Sequence, residues 1–412
     1  MHVLVVSCVF PPEPVVSAQT SAQIAEELAR CGHNVTVITT FPNRPVGKLY
    51  SGYKRRLFQR ETILNRIKLV RCFSFFSPKS NIISRLLENL SFGLTGSWAA
   101  LTTPRADVIY ANTWPILATG ILFLVAKLRR IPIVISVQDV YPESLVAQQR
   151  LQPNNLITRG MRWLDGVIAR GSRAVIVISG RFAAIYQNER GVSDEHVHVI
   201  PNWADEKSII LNSQPHEFRA GQNIPSNAFV LVYGGNIGVA AGVETVIEAF
   251  GKLKNIETLY FVIAGAGSQL RTCKELATTV SSKQIIFHSP WPVEETSQVL
   301  RAADVLILPT KGRQSLSSVP SKLISYMLAA KPIIALALPQ SDIAEMIRLS
   351  ECGWVVQPDR PDLLAAKIQE VMAMEVTDLN NRGQAGRQFA LKNLTSEICL
   401  HKVINTLVDA AT

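Results

Sequence analysis

The chain of 412 residues is 47% hydrophobic and 18% charged, with a formal net charge of +10. It is too long for one ordinary core and too apolar for a disordered polymer, so two α/β domains of about 200 residues each are expected. Cys8, Cys31, Cys72, Cys273, Cys352 and Cys399 form no CxxC pair, which points to a reducing, cytoplasmic setting.

In chain order, Val3–Phe10 reads as an apolar strand, Pro11-Pro12-Glu13-Pro14 as a loop, 20–30 as an amphipathic helix and 34–39 as the next strand, together one βαβ unit. Further strands are expected at 67–73, 107–111, 132–137 and 174–178, and helices at 84–101, 115–128 and 155–170. Asp107–Ala111 and Ile133–Val137 are near-continuous apolar runs, as strands buried on both faces of a parallel sheet should be. Residues 201–226, punctuated by Pro201, Asn202, Pro215, Gly221 and Pro225, read as a linker. A second βαβ unit begins at Phe229–Tyr233 and breaks at Gly234-Gly235-Asn236-Ile237-Gly238. It resumes as a helix with apolar Val243, Val246, Ile247, Phe250 and Leu253, then a strand at 259–264. Strands follow at 285–288, 305–308, 333–336 and 354–356, and amphipathic helices at 361–374 and 378–411. The two similar halves predict domains at 1–200 and 227–394 with a cleft between them, the last helix, about 395–412, crossing back to the first. Asp107 and Asp304 begin strands and read as turn residues.

The charge is localised. Between Arg44 and Arg85 stand eleven Lys or Arg and one acid, Glu61, an excess equal to the net charge of the whole chain. Tyr50, Tyr53, Leu57, Phe58, Phe73, Phe75 and Phe76 interleave with these cations. An anionic membrane surface suits this pattern best; nucleic acid is the rival partner, and a solvated face with its aromatics in the core is the plain alternative. Pro11 breaks the N-terminal run, and the most apolar stretch, Trp114–Ala126, has 13 residues against about 20 for a span. Membrane contact is therefore expected to be peripheral. His196 and His198 lack a third ligand nearby, and no metal is expected there.

Several motifs follow one another collinearly: Phe10-Pro11-Pro12-Glu13, Gly32–Thr39, Phe41–Tyr53, Gln138-Asp139-Val140-Tyr141-Pro142-Glu143-Ser144, Ile200–Asp205, Gly235-Asn236-Ile237-Gly238, Ala303–Pro309 and Ser318-Val319-Pro320-Ser321-Lys322. In this order the chain resembles a bacterial subgroup of family 4 glycosyltransferases that includes the N-acetyl-fucosamine and colanic acid transferases of surface-polysaccharide assembly. The resemblance implies a GT-B fold: two facing Rossmann-like, doubly wound α/β domains, with acceptor in the N-terminal one and nucleoside-diphosphate sugar, UDP-sugar favoured, in the C-terminal one. It implies a retaining transfer to a polyprenyl-diphosphate-linked sugar, on the inner face of the cytoplasmic membrane, with no cofactor and no metal. The segment 44–85 would dock that membrane, and no nucleic acid is expected.

Elementary chemistry fits these roles. Ligands of open α/β sheets bind beyond the carboxyl ends of the strands, and Gly235, Asn236, Gly238, Gly265 and Gly267 would let backbone approach a diphosphate. Ser317, Ser321 and Ser325 complete the expected donor set. Lys311 and Lys322 would neutralise the leaving diphosphate, and Asp139 is the acidic candidate for acceptor or sugar hydroxyls. Glu13, Ser17, Asn43, Gln138 and Glu143 form the expected acceptor set, with a structural role for Glu143 equally open.

Two departures stand out. The family carries two glutamates eight residues apart, at the donor sugar and the ribose, where this chain has Ser317 and Ser325; serine offers one short group where a carboxylate accepts both ribose hydroxyls. Many relatives have Gly-Gly at Val15-Val16-Ser17 and His-Asp at Gln138-Asp139. A non-catalytic nucleotide-sugar-binding relative and a sugar-nucleotide 2-epimerase are the alternative readings.

Overall fold

The structure is a computed structural model that describes residues 1–412 except 64–65, 79–81, 113–114, 148–149, 207–208, 210–214, 281–282 and 317–320. The chain divides into two compact units, Met1–Pro201 with Cys399–Thr412, and Asn202–Ile398.

The first unit is built on β1 (His2–Val6), β2 (Asn34–Thr40), β3 (Phe58–Ile63), β4 (Ile67–Cys72), β5 (Val108–Asn112), β6 (Ile133–Val137), β7 (Ala174–Val177) and β8 (Val197–Val199). Their order is β3-β4-β2-β1-β5-β6-β7-β8, and only β3 runs antiparallel. β6 and β7 are buried along their whole length, which is why they read as unbroken apolar runs. β3 was not among the expected strands: Phe-Gln-Arg-Glu-Thr-Ile is mostly polar because the strand caps the sheet edge. The steps β4 to β5, β5 to β6 and β6 to β7 go the same way through the sheet, so right-handed crossovers put the helices Ile82–Thr102, Ile116–Leu128 and Leu156–Gly171 on one face. Val16–Arg30, stepping the other way from β1 to β2, lies on the opposite face. A Cβ added to Gly93 of the first of these helices would lie 3.0 Å from Ala118 Cα of the second, so the two backbones pack closely.

The second unit holds β9 (Phe229–Gly234), β10 (Leu259–Ala264), β11 (Ile285–His288), β12 (Val305–Leu308), β13 (Ile333–Leu336) and β14 (Gly353–Val356), in the order β11-β10-β9-β12-β13-β14 and parallel throughout. This is the doubly wound order with its reversal between β9 and β12. Both units therefore have the expected Rossmann-like form. A shared detail strengthens the likeness between them. Asp107 Oδ2 accepts the His2 N–H at 2.7 Å while its own N–H donates to His2 O at 2.8 Å, and Asp304 repeats both bonds to Val230 at the same distances. Each aspartate ties the start of one strand to its neighbour at the switch.

Within 201–226, Pro215–Gly221 is helical, and Phe218 and Ile224 are buried in the second core. The run 378–411 is two helices, Val376–Asn393 and Ser396–Ala411. They part because Ala204 inserts between them, donating to Leu394 O and accepting the Ser396 N–H, each at 3.1 Å.

Arg190, 1% exposed, is the largest fully buried side chain and follows a single π turn, Ile185–Glu189. Its Nε donates to Asp165 at 2.9 Å, and its Nη2 donates to Glu143 at 2.7 Å and to Tyr141 O at 3.3 Å. Tyr186 donates to the other Asp165 oxygen at 3.0 Å. Removing one member of such a buried ion network leaves the others uncompensated, so Arg190→Ala should lower unfolding free energy by about 3–5 kcal/mol. Urea titration followed by circular dichroism checks this, as a lower midpoint at unchanged slope.

Candidate functional site

At the switch point of the second unit β9 and β12 pair only at Val305–Leu231 and Leu306–Val232. Past Val232 they part, and Tyr326 fills the gap. Its hydroxyl accepts the Gly234 N–H at 2.8 Å and donates to Gly234 O at 3.1 Å. The loops after β9 and β10 are then stitched together, Gly235 N–H to Ala264 O and Ile237 N–H to Ala266 O, both at 2.9 Å. Gly235 has φ +147° and Gly265 +136°, and a Cβ on Gly265 would lie 2.0 Å from Gly235 O. No other residue fits at Gly265 without separating the loops. Gly267 is crowded in the same way, its Cβ position 2.3 Å from Ile237 O and 2.7 Å from the Asn236 side chain, and that of Gly238 is 3.0 Å from Asn236 Nδ2.

Lys322 occupies the space that the missing Gly235 side chain leaves: a Cβ there would lie 2.2 Å from Lys322 Cε. Its ammonium donates to Tyr233 Oη at 2.6 Å, and Tyr233 in turn donates to Asn236 O at 2.6 Å. A half-buried cation thus stands at the root of the glycine loop. Burial disfavours its charged form and lowers its pKa to about 8. Lys322, Ser325 and Tyr326 lie on one face of the helix Lys322–Leu328, being three and four residues apart. Ser325 is half-buried there, whereas Ser321 is exposed and makes no capping bond. Lys311 has an exposed side chain, and its N–H donates to Ala240 O at 3.1 Å, joining the loop after β12 to that after β9. Ser317 lies outside the described residues. Beside this group His288 bonds Glu295 at 2.6 Å, and the Trp291 ring packs on Gly234. Tyr233 gave no signal in the sequence, since the last residue of a buried strand reads simply as core.

In the first unit the expected acceptor residues divide into two groups. Glu13 is 1% exposed, and its carboxylate accepts the N–H groups of Asn43 at 2.9 Å, Arg44 at 2.8 Å and Phe10 at 3.3 Å. Asn43 is buried as well, with its amide donating to Phe41 O at 3.0 Å. Glu143 is held by Arg162 at 3.0 Å and Arg190 at 2.7 Å. These three fix loops. Ser17 is half-buried in the first turn of the Val16–Arg30 helix. Gln138 bonds Ser136 at 3.3 Å just past β6. The Asp139 carboxylate next to it, half-buried, has no hydrogen-bond partner among the described residues, and burial raises it to about 6. Asp139 is thus the free acid of the group.

The basic segment is not one surface. Arg71 is 3% exposed, donating to Pro11 O at 2.8 Å and pairing with Glu61 at 3.5 Å, while Arg44 and Arg85 both pair with Glu88. Arg55 lies over Phe76, 4.8 Å from its ring centre. Lys48, Lys54, Arg55, Arg56, Arg60, Arg66 and Lys68 remain exposed, and Lys79 lies outside the described residues. Among the described residues no three of His, Cys, Asp or Glu cluster as metal ligands, and no helix is long and apolar enough to cross a membrane.

Comparison with known proteins agrees with this architecture. The family described as "Glycosyl transferase 4-like domain" matches residues 17–203, and that described as "Glycosyl transferases group 1" matches 215–389. The chain is 29% identical to a Pseudomonas aeruginosa protein named as a glycosyltransferase, WbjE, over 80% of this chain and 82% of that one. It is 23% identical to WcaI of Escherichia coli K12, named for colanic acid biosynthesis, over 99% and 100%. Among solved structures, Anabaena HepE in complex with UDP-glucose superposes with a TM-score of 0.70 at 15% identity, covering 99% of this chain and 100% of that one. With both of its Rossmann-like halves matched in turn, the chain belongs to the GT-B glycosyltransferases that join a 4-like domain to a group 1 domain.

Proposed function

We propose that the enzyme moves a sugar from a nucleoside-diphosphate sugar, UDP-sugar favoured, to a polyprenyl-diphosphate-linked acceptor in surface-polysaccharide assembly, with retention at the anomeric carbon. The observation that carries the donor half is the Lys322 ammonium set into the Gly235 loop; the relatives' names and the HepE complex support the substrate class. In this reading the diphosphate lies against Gly235, Gly238, Gly265 and Gly267, and Lys322 with Lys311 takes up the charge of the leaving group. The bond from the anomeric carbon to the diphosphate oxygen breaks as the acceptor oxygen bonds on the same face. The departing diphosphate receives the acceptor proton, and Asp139 orients a hydroxyl. Lysine charge supplies what a divalent ion supplies elsewhere, so chelation should leave the rate unchanged.

Lys322→Ala should weaken UDP binding about ten- to a hundredfold, the ~1.5–3 kcal/mol of a hydrogen bond to a charged group. Since free Lys322 loses its proton near pH 8, affinity should fall as pH rises through that value, and Lys322→Arg, which stays charged, should remove the decline. Calorimetric titration with UDP across pH checks both.

Asp139 is raised to about 6 in the folded chain, against about 4 unfolded. The folded state therefore holds the extra proton between these values, and stability is lost as pH rises through about 6. Asp139→Asn should raise stability near pH 7 by about 1–3 kcal/mol and give no gain below about pH 4. The same variant should lower transfer far more than UDP affinity. Thermal melts at the two pH values and a transfer assay decide the matter, and unchanged transfer would remove Asp139 from the site.

A further inference from the structure

The helix layer formed by Ile82–Thr102, Ile116–Leu128 and Leu156–Gly171 has an outward face that is apolar where a solvated face is polar. On the first helix Ile83, Leu87, Leu90, Leu94, Trp98 and Leu101 recur every three or four residues and are 37–69% exposed. That spacing keeps them on one side of a helix whose other side, with Phe92, Ala99 and Ala100, is buried. On the neighbouring helices Leu124 and Leu128 are 66% and 76% exposed, and Leu156 and Trp163 are 83% and 67% exposed. Scattered exposed leucines need no explanation, but a continuous apolar face does.

Charge decides what covers it. From Ile82 to Gly171 there are nine Lys or Arg and five acids. Of those acids Glu88, Glu143 and Asp165 are each paired to arginine, and Asp107 accepts the His2 N–H. Lys127 and Arg130 stay exposed at the C-terminal end of the second helix, as do Arg159 in the first turn of the third and Arg150 in the loop before it. An apolar face edged by cations suits a bilayer with anionic headgroups, with leucine and tryptophan in the acyl boundary and lysine and arginine at the phosphates. A second copy of the chain would set the same cations against each other.

We infer that this helix layer, rather than the basic segment 44–85 alone, is the surface by which the enzyme lies on an anionic membrane. The inference deepens the proposed use of a lipid-linked acceptor and rests on that reading. No residue of the face belongs to the proposed donor or acceptor site.

Trp98 and Trp163 report on it directly. The full-length protein, sedimented with vesicles of phosphatidylglycerol and phosphatidylcholine at low salt, should bind. Its tryptophan emission should shift to the blue and be quenched by brominated lipid. Leu94→Gln with Leu128→Gln, both at exposed positions, should reduce vesicle binding by about tenfold or more while UDP affinity and circular dichroism stay as in the wild type. Protein left in the supernatant, or equal binding by the double variant, overturns the inference. So does loss of binding from Arg55→Gln with Arg56→Gln alone, which assigns docking to the basic segment. A dimer in sedimentation equilibrium that the leucine variant dissolves would assign the face to a second copy instead. Because UDP titration is run without vesicles, UDP binding without vesicle binding removes only the docking face, and vesicle binding without UDP binding removes only the donor reading.

Discussion

The close approach of two chain segments at the reversal of the second sheet governs what this unit can do. Gly265 brings its backbone against Gly235 O where no Cβ fits, and the side-chain space missing at Gly235 goes to a lysine from a helix more than eighty residues further along. Tyr326, one turn beyond that lysine, holds the parted strands by satisfying both polar groups of Gly234. One short helix therefore supplies the charge and the brace together. A side chain at Gly265 would force the loops apart and move the lysine from its place, with every later contact depending on that geometry.

Burial shifts both candidate reactive groups toward their neutral forms. Lys322 is pushed down and Asp139 up from their ordinary values, and among the described residues neither pairs with an oppositely charged side chain. By contrast Glu13, Glu143 and Asp165 are satisfied by backbone N–H groups or arginine. Charges that brace the fold are partnered, and the two proposed for chemistry are not paired with an opposite charge among the described residues. This separates residues that one motif had placed together, since Asp139 and Glu143 lie in the same seven-residue run.

Much of the fold was legible because parallel strands buried on both faces write themselves as apolar runs, and all six strands of the second unit fall within a residue or so of their expected bounds. What escaped is what periodicity does not encode. β3 is an edge strand with polar residues, the π turn before Arg190 has no signature, and the break at Leu394 depends on Ala204, distant in sequence. The glycine loop and Lys322 were legible from motif order, but their contact was not. The basic segment shows the opposite failure. Counting cations along the chain made one strip of residues that the fold sends to different fates, Arg71 to the interior and Arg44 to an ion pair.

The assignment of Cys399–Thr412 to the first unit has a consequence for the order in which the molecule can be completed. The whole of Asn202–Ile398 is an insertion within a discontinuous partner. Cys399, Val403 and Leu407 supply buried positions to that unit although they follow the whole of the second unit in the chain. During synthesis the second unit has all of its residues before the first has its final helix, so the unit begun first is the one finished last.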